Sequence, residues 1–125
     1  MSRTWEIRLP WAKPPISAND RDHWRVKARK VAEIRGTASK HVAETYGLPY
    51  HADHITVGLI YVPRDRRRRD ADNLVVPLMK ALVDGIVDAG VVVDDDTEHV
   101  TRTMPVILAP DGDPRLVLTI TEGRP

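Results

Sequence analysis

The segment 66–74 places a run of basic side chains directly before two carboxylates. It reads Arg66-Arg67-Arg68-Arg69-Asp70-Ala71-Asp72-Asn73-Leu74, so two aspartates stand one residue apart. Guanidinium groups seek polyanions such as nucleic-acid backbones. Paired carboxylates repel phosphate unless a divalent cation lies between them. The segment therefore favours a metal-dependent site that acts on the phosphates of a nucleic acid.

A second acidic segment could complete such a site. Asp94, Asp95 and Asp96 follow Val91-Val92-Val93, whose apolar side chains should anchor the start of this loop in the core. Mg²⁺ prefers octahedral oxygen coordination with few protein carboxylates, and Mn²⁺ accepts similar ligands. The candidate metal ligands are Asp70, Asp72, Asp94 and Asp95.

Simpler interpretations of these acids stay open. Asp70 or Asp72 could cap a following helix, because carboxylates are favoured at helix N-termini. The pair could also neutralise the arginine run, and Asp94–Asp96 could form an ordinary solvated loop. Lys80 lies two helical turns past Asn73 and could reach back toward the acids and a scissile phosphate. A lysine at such a position could equally be an exposed surface residue.

Charge is distributed unevenly along the 125 residues. Residues 1–69 carry 15 Lys/Arg and 7 Asp/Glu, whereas residues 70–125 carry 4 and 11, and the net charge is +1. Folding could therefore set a basic surface beside an acidic pocket. The 14 arginines against 5 lysines suit bidentate phosphate contacts, although codon bias in a GC-rich genome would give the same excess.

The chain lacks the marks of a secreted or membrane protein. It contains no Cys, which excludes disulfides and cysteine-based zinc sites. The opening residues lack the pattern of a signal peptide, and no segment approaches membrane-spanning length. We expect a cytoplasmic protein without a membrane partner or a small-molecule cofactor.

Hydrophobic periodicity predicts one α/β domain over residues 1–125, with elements in the order β-α-β-α-β-β and a mixed sheet packed against two helices. Strands are predicted at 5–9, 55–62, 100–108 and 116–121, with a hairpin turn at 111–113. The first helix should run over 21–46 after a cap at Asn19 or Asp20, with Gly47 ending it. The second should run over 73–88, with a distorted or delayed start because of Pro77.

The first helix should carry an apolar stripe and a basic face. The stripe comprises Trp24, Ala28, Val31, Ile34 and Ala38, spaced by three or four residues. The candidate DNA-binding residues are Arg25, Lys27, Arg29 and Lys30 on this helix, with Arg64, Arg66, Arg67, Arg68, Arg69 and Asn73 from the later segment. The five histidines (His23, His41, His51, His54 and His99) form no convincing ligand set and are interpreted as surface or packing residues.

Together these motifs resemble the RusA family of Holliday junction resolvases. The resemblance rests on segment 66–74, on Gly90-Val91-Val92-Val93-Asp94-Asp95, on Leu9-Pro10-Trp11 with Pro14-Pro15 and Asn19, and on the closing strand up to Glu122. It implies a small α/β homodimer that cuts four-way DNA junctions with Mg²⁺.

Site residues follow from the same resemblance. Asp70, Asp72 and Asp95 would be the essential carboxylates with Asp94 beside them, and Arg69 would match a basic residue that helps to handle DNA. One departure concerns a lysine that the family commonly has four residues after the second aspartate, where this chain has Val76. Lys80, one helical turn further on, is the candidate substitute.

The resulting hypothesis is a Mg²⁺-dependent endonuclease that resolves four-way junctions in DNA recombination and repair. Catalysis would depend on Asp70, Asp72, Asp95 and Lys80, and the partners would be branched DNA and a second copy of the chain. One alternative is a broader nuclease acting on flaps or forks, and another is a catalytically weakened junction-binding protein. A small Ca²⁺-binding or purely interacting protein would account for the acids but not for the arginines.

Overall fold

The computed structural model describes residues 3–47 and 51–125, which form an α/β fold with a mixed open sheet and two α-helices. The strands are β1 (Thr4–Arg8), β2 (Ile55–Val62), β3 (Val100–Arg102), β4 (Val106–Ile107) and β5 (Arg115–Glu122). The α-helices are α1 (Trp24–Tyr46) and α2 (Lys80–Asp88). A 3₁₀ turn (Ala71–Leu74) and a π-helical turn (Val75–Met79) precede α2.

In the sheet, β5 lies between β1 and β2 and is antiparallel to both, while β3 and β4 follow one another along the far side of β2 and run parallel to it. Alternate residues of β5, namely Leu116, Leu118 and Ile120, are buried. Strand β2 likewise buries every second residue from Ile55 to Tyr61. This period of two gives the sheet one fully buried face.

The predicted strand 100–108 is wrong as a single element, because β3 and β4 are separated by residues 103–105. Pro105 lies in this break and has no amide hydrogen for a sheet hydrogen bond. The predicted hairpin at 111–113 is also wrong. Strands β4 and β5 lie on opposite sides of β2, so the turn carries the chain past the end of β2 instead of joining neighbours.

Helix α1 begins at Trp24, three residues later than predicted, and its cap is His23 instead of Asn19 or Asp20. The His23 Nδ1 accepts a hydrogen bond from the Arg25 amide at 3.2 Å. The Asp20 carboxylate is engaged upstream, where it accepts from the Ser17 amide at 3.0 Å.

The apolar stripe of α1 is confirmed only in its later turns. Ile34, Ala38 and Val42 are buried, but Trp24 and Ala28 are exposed. The helix therefore extends beyond the core at its N-terminal end. Gly47 ends it as predicted, with a φ of 67° that glycine adopts without steric cost.

The second predicted helix is confirmed in its apolar stripe and in its delayed start. Leu74, Leu78, Leu82 and Ile86 are all buried, but the α-helix itself begins only at Lys80. Val76 is extended, with φ −126° and ψ 126°, because a residue before proline is disfavoured from helical geometry. The Val76–Pro77 peptide bond is cis.

The valine segment anchors the acidic loop as expected, because Val91 and Val92 are buried while Val93 is exposed.

Within the described ranges, neither α-helix is both long enough and apolar enough to cross a membrane.

Candidate nucleic-acid interface

A groove of about 1060 Å³ opens beside the end of β2, where the chain turns into the arginine-rich segment. Its basic and polar wall comprises Lys13, Ser17, Asn19, Arg64, Arg67, Arg68, Arg69, Asp70 and Asn73. Its apolar lining comprises Ala12, Pro14, Tyr61, Ala71, Leu74, Ile107 and Pro114. Basic side chains around a concave surface suit a phosphate backbone. Lys13 was not among the predicted DNA-binding residues. Its only distinguishing feature in the sequence is a basic side chain next to Pro14.

Asp65 holds the arginine loop, defined here as residues 64–69, in its shape. Its Oδ1 accepts hydrogen bonds from Arg69 Nη2 at 2.7 Å and from the Arg67 amide at 3.1 Å. The hydrogen bond from Arg69 lowers the pKa of the Asp65 carboxyl, and the one from the Arg67 amide adds to the effect. Asp65 was not among the predicted site residues, although it is visible in the sequence as a single carboxylate among five arginines.

The Arg69 guanidinium forms its hydrogen bonds within the arginine loop, and little of the side chain is exposed to solvent. Its Nη1 donates to the carbonyls of Asp65 and Arg67, both at 2.9 Å, and its guanidinium lies 5.6 Å from the centre of the Tyr61 ring. The side chain is only 20% exposed. Arg69 thus braces the groove wall, and its predicted part in DNA handling stays a prediction.

The other arginines of the loop are directed to solvent. Arg64 and Arg67 are 77% and 70% exposed and lie 3.7 and 3.5 Å from Asp65 Oδ2. Arg66 and Arg68 are exposed, and no carboxylate of the described ranges lies within ion-pair distance of either. These side chains can therefore bind phosphate at little cost in existing contacts.

Asp70 lines the groove and Asp72 is exposed two residues further on, and neither carboxylate has a basic partner among the described residues. Asp70 caps the 3₁₀ turn, since its Oδ1 accepts from the Asp72 amide at 3.0 Å, so the capping interpretation is confirmed for Asp70. Neither carboxylate forms an ion pair within the described residues, because the nearby arginines pair with Asp65 instead. No direct ion pair of the described residues joins Asp70 or Asp72 to the arginine run, and both carboxylates are exposed, so each is accessible to a cation.

The acids of the later loop are held by local contacts. Asp94 Oδ1 accepts from the Asp95 amide at 2.7 Å. Arg102 donates to the Asp95 carbonyl at 2.9 Å and lies 3.8 Å from its carboxylate. Asp96 Oδ1 is 2.5 Å from His99 Nδ1, and this hydrogen bond lowers the pKa of the Asp96 carboxyl.

The two acidic segments are not gathered into one cluster. In residues 3–47 and 51–125, no three His, Asp or Glu side chains lie close enough together to hold a metal ion. The predicted metal site shared by Asp70, Asp72 and Asp95 is therefore not assembled in this structure, and it stays a prediction. The donors at Asp70 and Asp72 still fit Mg²⁺ chemically, because this ion is commonly bound by one or two carboxylates and several waters.

Lys80 is the first residue of α2 and faces away from the expected direction. Its Nζ lies 3.8 Å from Asp84 Oδ2, one turn toward the C-terminus, and the side chain is 60% exposed. Val76 is exposed and extended, ahead of the helix. A lysine at position 76 would therefore not project from α2, whereas Lys80 does.

The predicted basic face of α1 is only partly free. Lys30 Nζ donates to Asp22 at 2.5 Å, and the Arg25 guanidinium lies 5.2 Å from the Trp24 ring centre. Arg29 is exposed and Lys27 half-buried. Asn73 lines the groove, and its carbonyl accepts from the Ala18 amide at 3.1 Å, which ties the lining segment 12–19 to the lining segment 64–74.

The histidines take the packing and surface roles predicted for them. His54 is 8% exposed, and its two ring nitrogens lie 2.8 Å from the Glu98 carbonyl and 2.7 Å from Thr101 Oγ1. His51 and His23 are exposed. None of the described histidines belongs to a metal-binding group.

Comparison with known proteins adds no family assignment. No protein-family model matches the chain, and no curated protein matches it at a significant level.

Proposed function

We propose that the protein is a Mg²⁺-dependent endonuclease that cleaves branched DNA, with the four-way junction as its preferred substrate. One observation carries the proposal. Residues 64–73 set exposed arginines and the Asp70 carboxylate along one groove, with Asp72 exposed next to this lining, and neither carboxylate pairs with a basic side chain of the described residues. A groove that needed only to bind DNA would gain nothing from accessible carboxylates beside it, since they repel phosphate.

Phosphate binding would be shared between two segments that line the groove. Arg64, Arg67 and Arg68 would contact the DNA backbone from the arginine loop, and Lys13 from the N-terminal segment 12–19. Few of these groups can read base edges, so we expect recognition by shape more than by sequence. Arg69 would keep the loop in register while bonded to Asp65.

The metal would be held by Asp70 and Asp72, with Asp94 or Asp95 as predicted additional ligands. A bound Mg²⁺ supplies Lewis-acid stabilisation of the phosphate oxygens and an activated water, and Mn²⁺ can replace it. A loop arginine would offset the charge that builds up on the phosphate. Lys80 would do so only after leaving Asp84 and turning toward the groove. A homodimer would present two such sites to the two symmetry-related strands of a junction.

A junction-binding protein without cleavage is the second candidate. The observation in its favour is that the described residues assemble no three-ligand metal group. Such a protein would use the same groove and the same arginines, but Asp70 would serve only as a cap.

The test uses the wild-type chain with end-labelled four-way junction, flap and plain duplex, each incubated with Mg²⁺ or with EDTA. The proposal predicts Mg²⁺-dependent nicks near the branch of the junction and little cleavage of the duplex. Equal cleavage of junction and flap would indicate the broader nuclease. Tight binding of the junction with no product in Mg²⁺ or Mn²⁺ would refute the proposal and favour the second candidate.

A further inference from the structure

Trp24 is the most exposed of the large apolar side chains in the described part of the chain, with 67% of its surface accessible. Trp5 and Trp11 are each partly buried. Tryptophan is highly buried on average, and apolar surface left in water is unfavourable. Trp24 contributes nothing to the core beneath α1, so its place at the surface calls for another explanation.

The surroundings of the Trp24 ring are ordered and cationic. The Arg25 guanidinium lies 5.2 Å from the ring centre, within the range of a cation–π contact. The His23 ring lies 5.6 Å away at an interplanar angle of 32°, and its bond to the Arg25 amide holds it in place. Both neighbours restrict the tryptophan while leaving two-thirds of its surface accessible.

The charge around Trp24 favours a polyanion. Arg29 is exposed in the second turn of α1, and Arg21 is exposed three residues before Trp24. Of the adjacent acids, Asp22 is paired with Lys30 at 2.5 Å, and Asp20 accepts from the Ser17 amide. An aromatic surface set among cations matches a nucleic-acid strand, whose bases stack on the ring while its phosphates meet the cations.

Trp24 lies close to the groove along the chain. Ser17 and Asn19 line the groove, and the Ala18 amide donates to the Asn73 carbonyl at 3.1 Å. Five residues of extended backbone span at most about 18 Å, so the Cα atoms of Asn19 and Trp24 are no further apart than that. A strand of a few nucleotides can therefore contact both places.

We infer that Trp24 is a stacking platform for an unpaired base on a strand that leaves the basic groove. The inference rests on the proposed function, since it requires DNA in that groove. Bases inside a duplex are stacked on each other and offer the ring no free face. The ligand class is therefore DNA with an unpaired segment, such as the strands at an open branch point.

The test measures the binding of a labelled dT oligonucleotide of about 12 nucleotides, and of a blunt duplex, to wild-type, Trp24→Ala and Trp24→Phe chains by fluorescence anisotropy. We expect Trp24→Ala to weaken oligonucleotide binding about 5- to 150-fold, as the loss of one stacked base does, with little change for the duplex. Trp24→Phe should restore most of the affinity because its ring also stacks. Circular dichroism checks that each variant is folded.

Three results would overturn the inference. If Trp24→Ala binds dT as tightly as the wild type, or weakens duplex binding equally, Trp24 does not hold an unpaired base, and the nuclease proposal is untouched. If Trp24→Phe binds dT no better than Trp24→Ala, the tryptophan does not act by stacking. If the wild-type chain binds neither oligonucleotide, duplex nor four-way junction, the groove does not bind DNA and both proposals fail.

Discussion

Gly85 lies where helix α2 crosses helix α1, and its replacement by alanine should destabilise the fold. A Cβ at this position would lie 2.5 Å from the Arg35 carbonyl oxygen and 2.7 Å from the Ala38 Cβ. Ordinary contacts begin near 3.4 Å, so the two helices would have to separate by about 1 Å in a close-packed region. The chain therefore cannot relieve the clash by rotating a flexible side chain.

Overpacking of this kind costs about 1–3 kcal/mol, against which the better helix propensity of alanine returns up to about 1 kcal/mol. We expect Gly85→Ala to lose roughly 1–2 kcal/mol of the free energy of unfolding and to lower Tm by roughly 3–10 °C. Thermal unfolding followed by circular dichroism measures both. The added methyl group would also displace α2, the helix that carries Lys80.

Gly36 provides the matched control, because it lies on α1 and a Cβ there would meet nothing within 4 Å. Gly36→Ala should therefore gain up to about 1 kcal/mol from helix propensity alone. If Gly85→Ala were as stable as Gly36→Ala, the helix crossing would be looser than described and this reasoning would be refuted.

Three further predictions concern charge. The hydrogen bond from Arg35 lowers the pKa of the Asp88 carboxyl, so its stabilising effect is present above pH 4–5 and is lost as pH falls through the lowered value. Asp88→Asn should accordingly flatten the fall of Tm between about pH 5 and pH 2, and an unchanged profile would exclude this pair as a contributor. Asp65→Asn should lower the urea midpoint slightly, because the neutral amide oxygen replaces the carboxylate that accepts from Arg69 and the hydrogen bond is no longer an ion pair; an unaltered midpoint would mean that the charge of Asp65 does not brace the loop. Replacing Arg67 and Arg68 by alanine should reduce the slope of log affinity for DNA against log salt by about 2, whereas an unchanged slope would place the phosphates elsewhere.

The elements with strong local patterns were predictable from sequence. Strand β2, the stripe from Leu74 to Ile86 and the end of α1 at Gly47 each follow from periodicity or from a residue that only one geometry suits. The start of α1 did not follow, because Asp20 is as good a cap as any in isolation. In the structure the Asp20 carboxylate accepts a hydrogen bond from the Ser17 amide, and His23 caps the helix instead.

The candidate site was predictable in composition but not in arrangement. A run of arginines next to two carboxylates is visible in the sequence, and so is Asp65 within it. The carboxylate with which the arginines pair is set by how the loop folds back over Tyr61. A sequence pattern does not predict that loop conformation. The separation of Asp72 from Asp95 likewise depends on the path of the chain through the π-helical turn and α2, which no local signal specifies.

The claim that Asp72 serves a metal-dependent cleavage is tested most directly by one paired measurement on a labelled four-way junction. Cleavage with Mg²⁺ and binding without it are compared for the wild type, Asp72→Asn and Asp53→Asn. Asp53 is the control because it is exposed, as Asp72 is, but lies before strand β2, outside the segment 64–73 and the groove lining.

We expect Asp72→Asn to lose cleavage by more than about 100-fold while binding the junction as tightly as the wild type or more tightly, since one repulsive charge is removed. Asp53→Asn should cleave and bind like the wild type. Cleavage by Asp72→Asn at the wild-type rate would show that Asp72 has no part in metal-dependent cleavage.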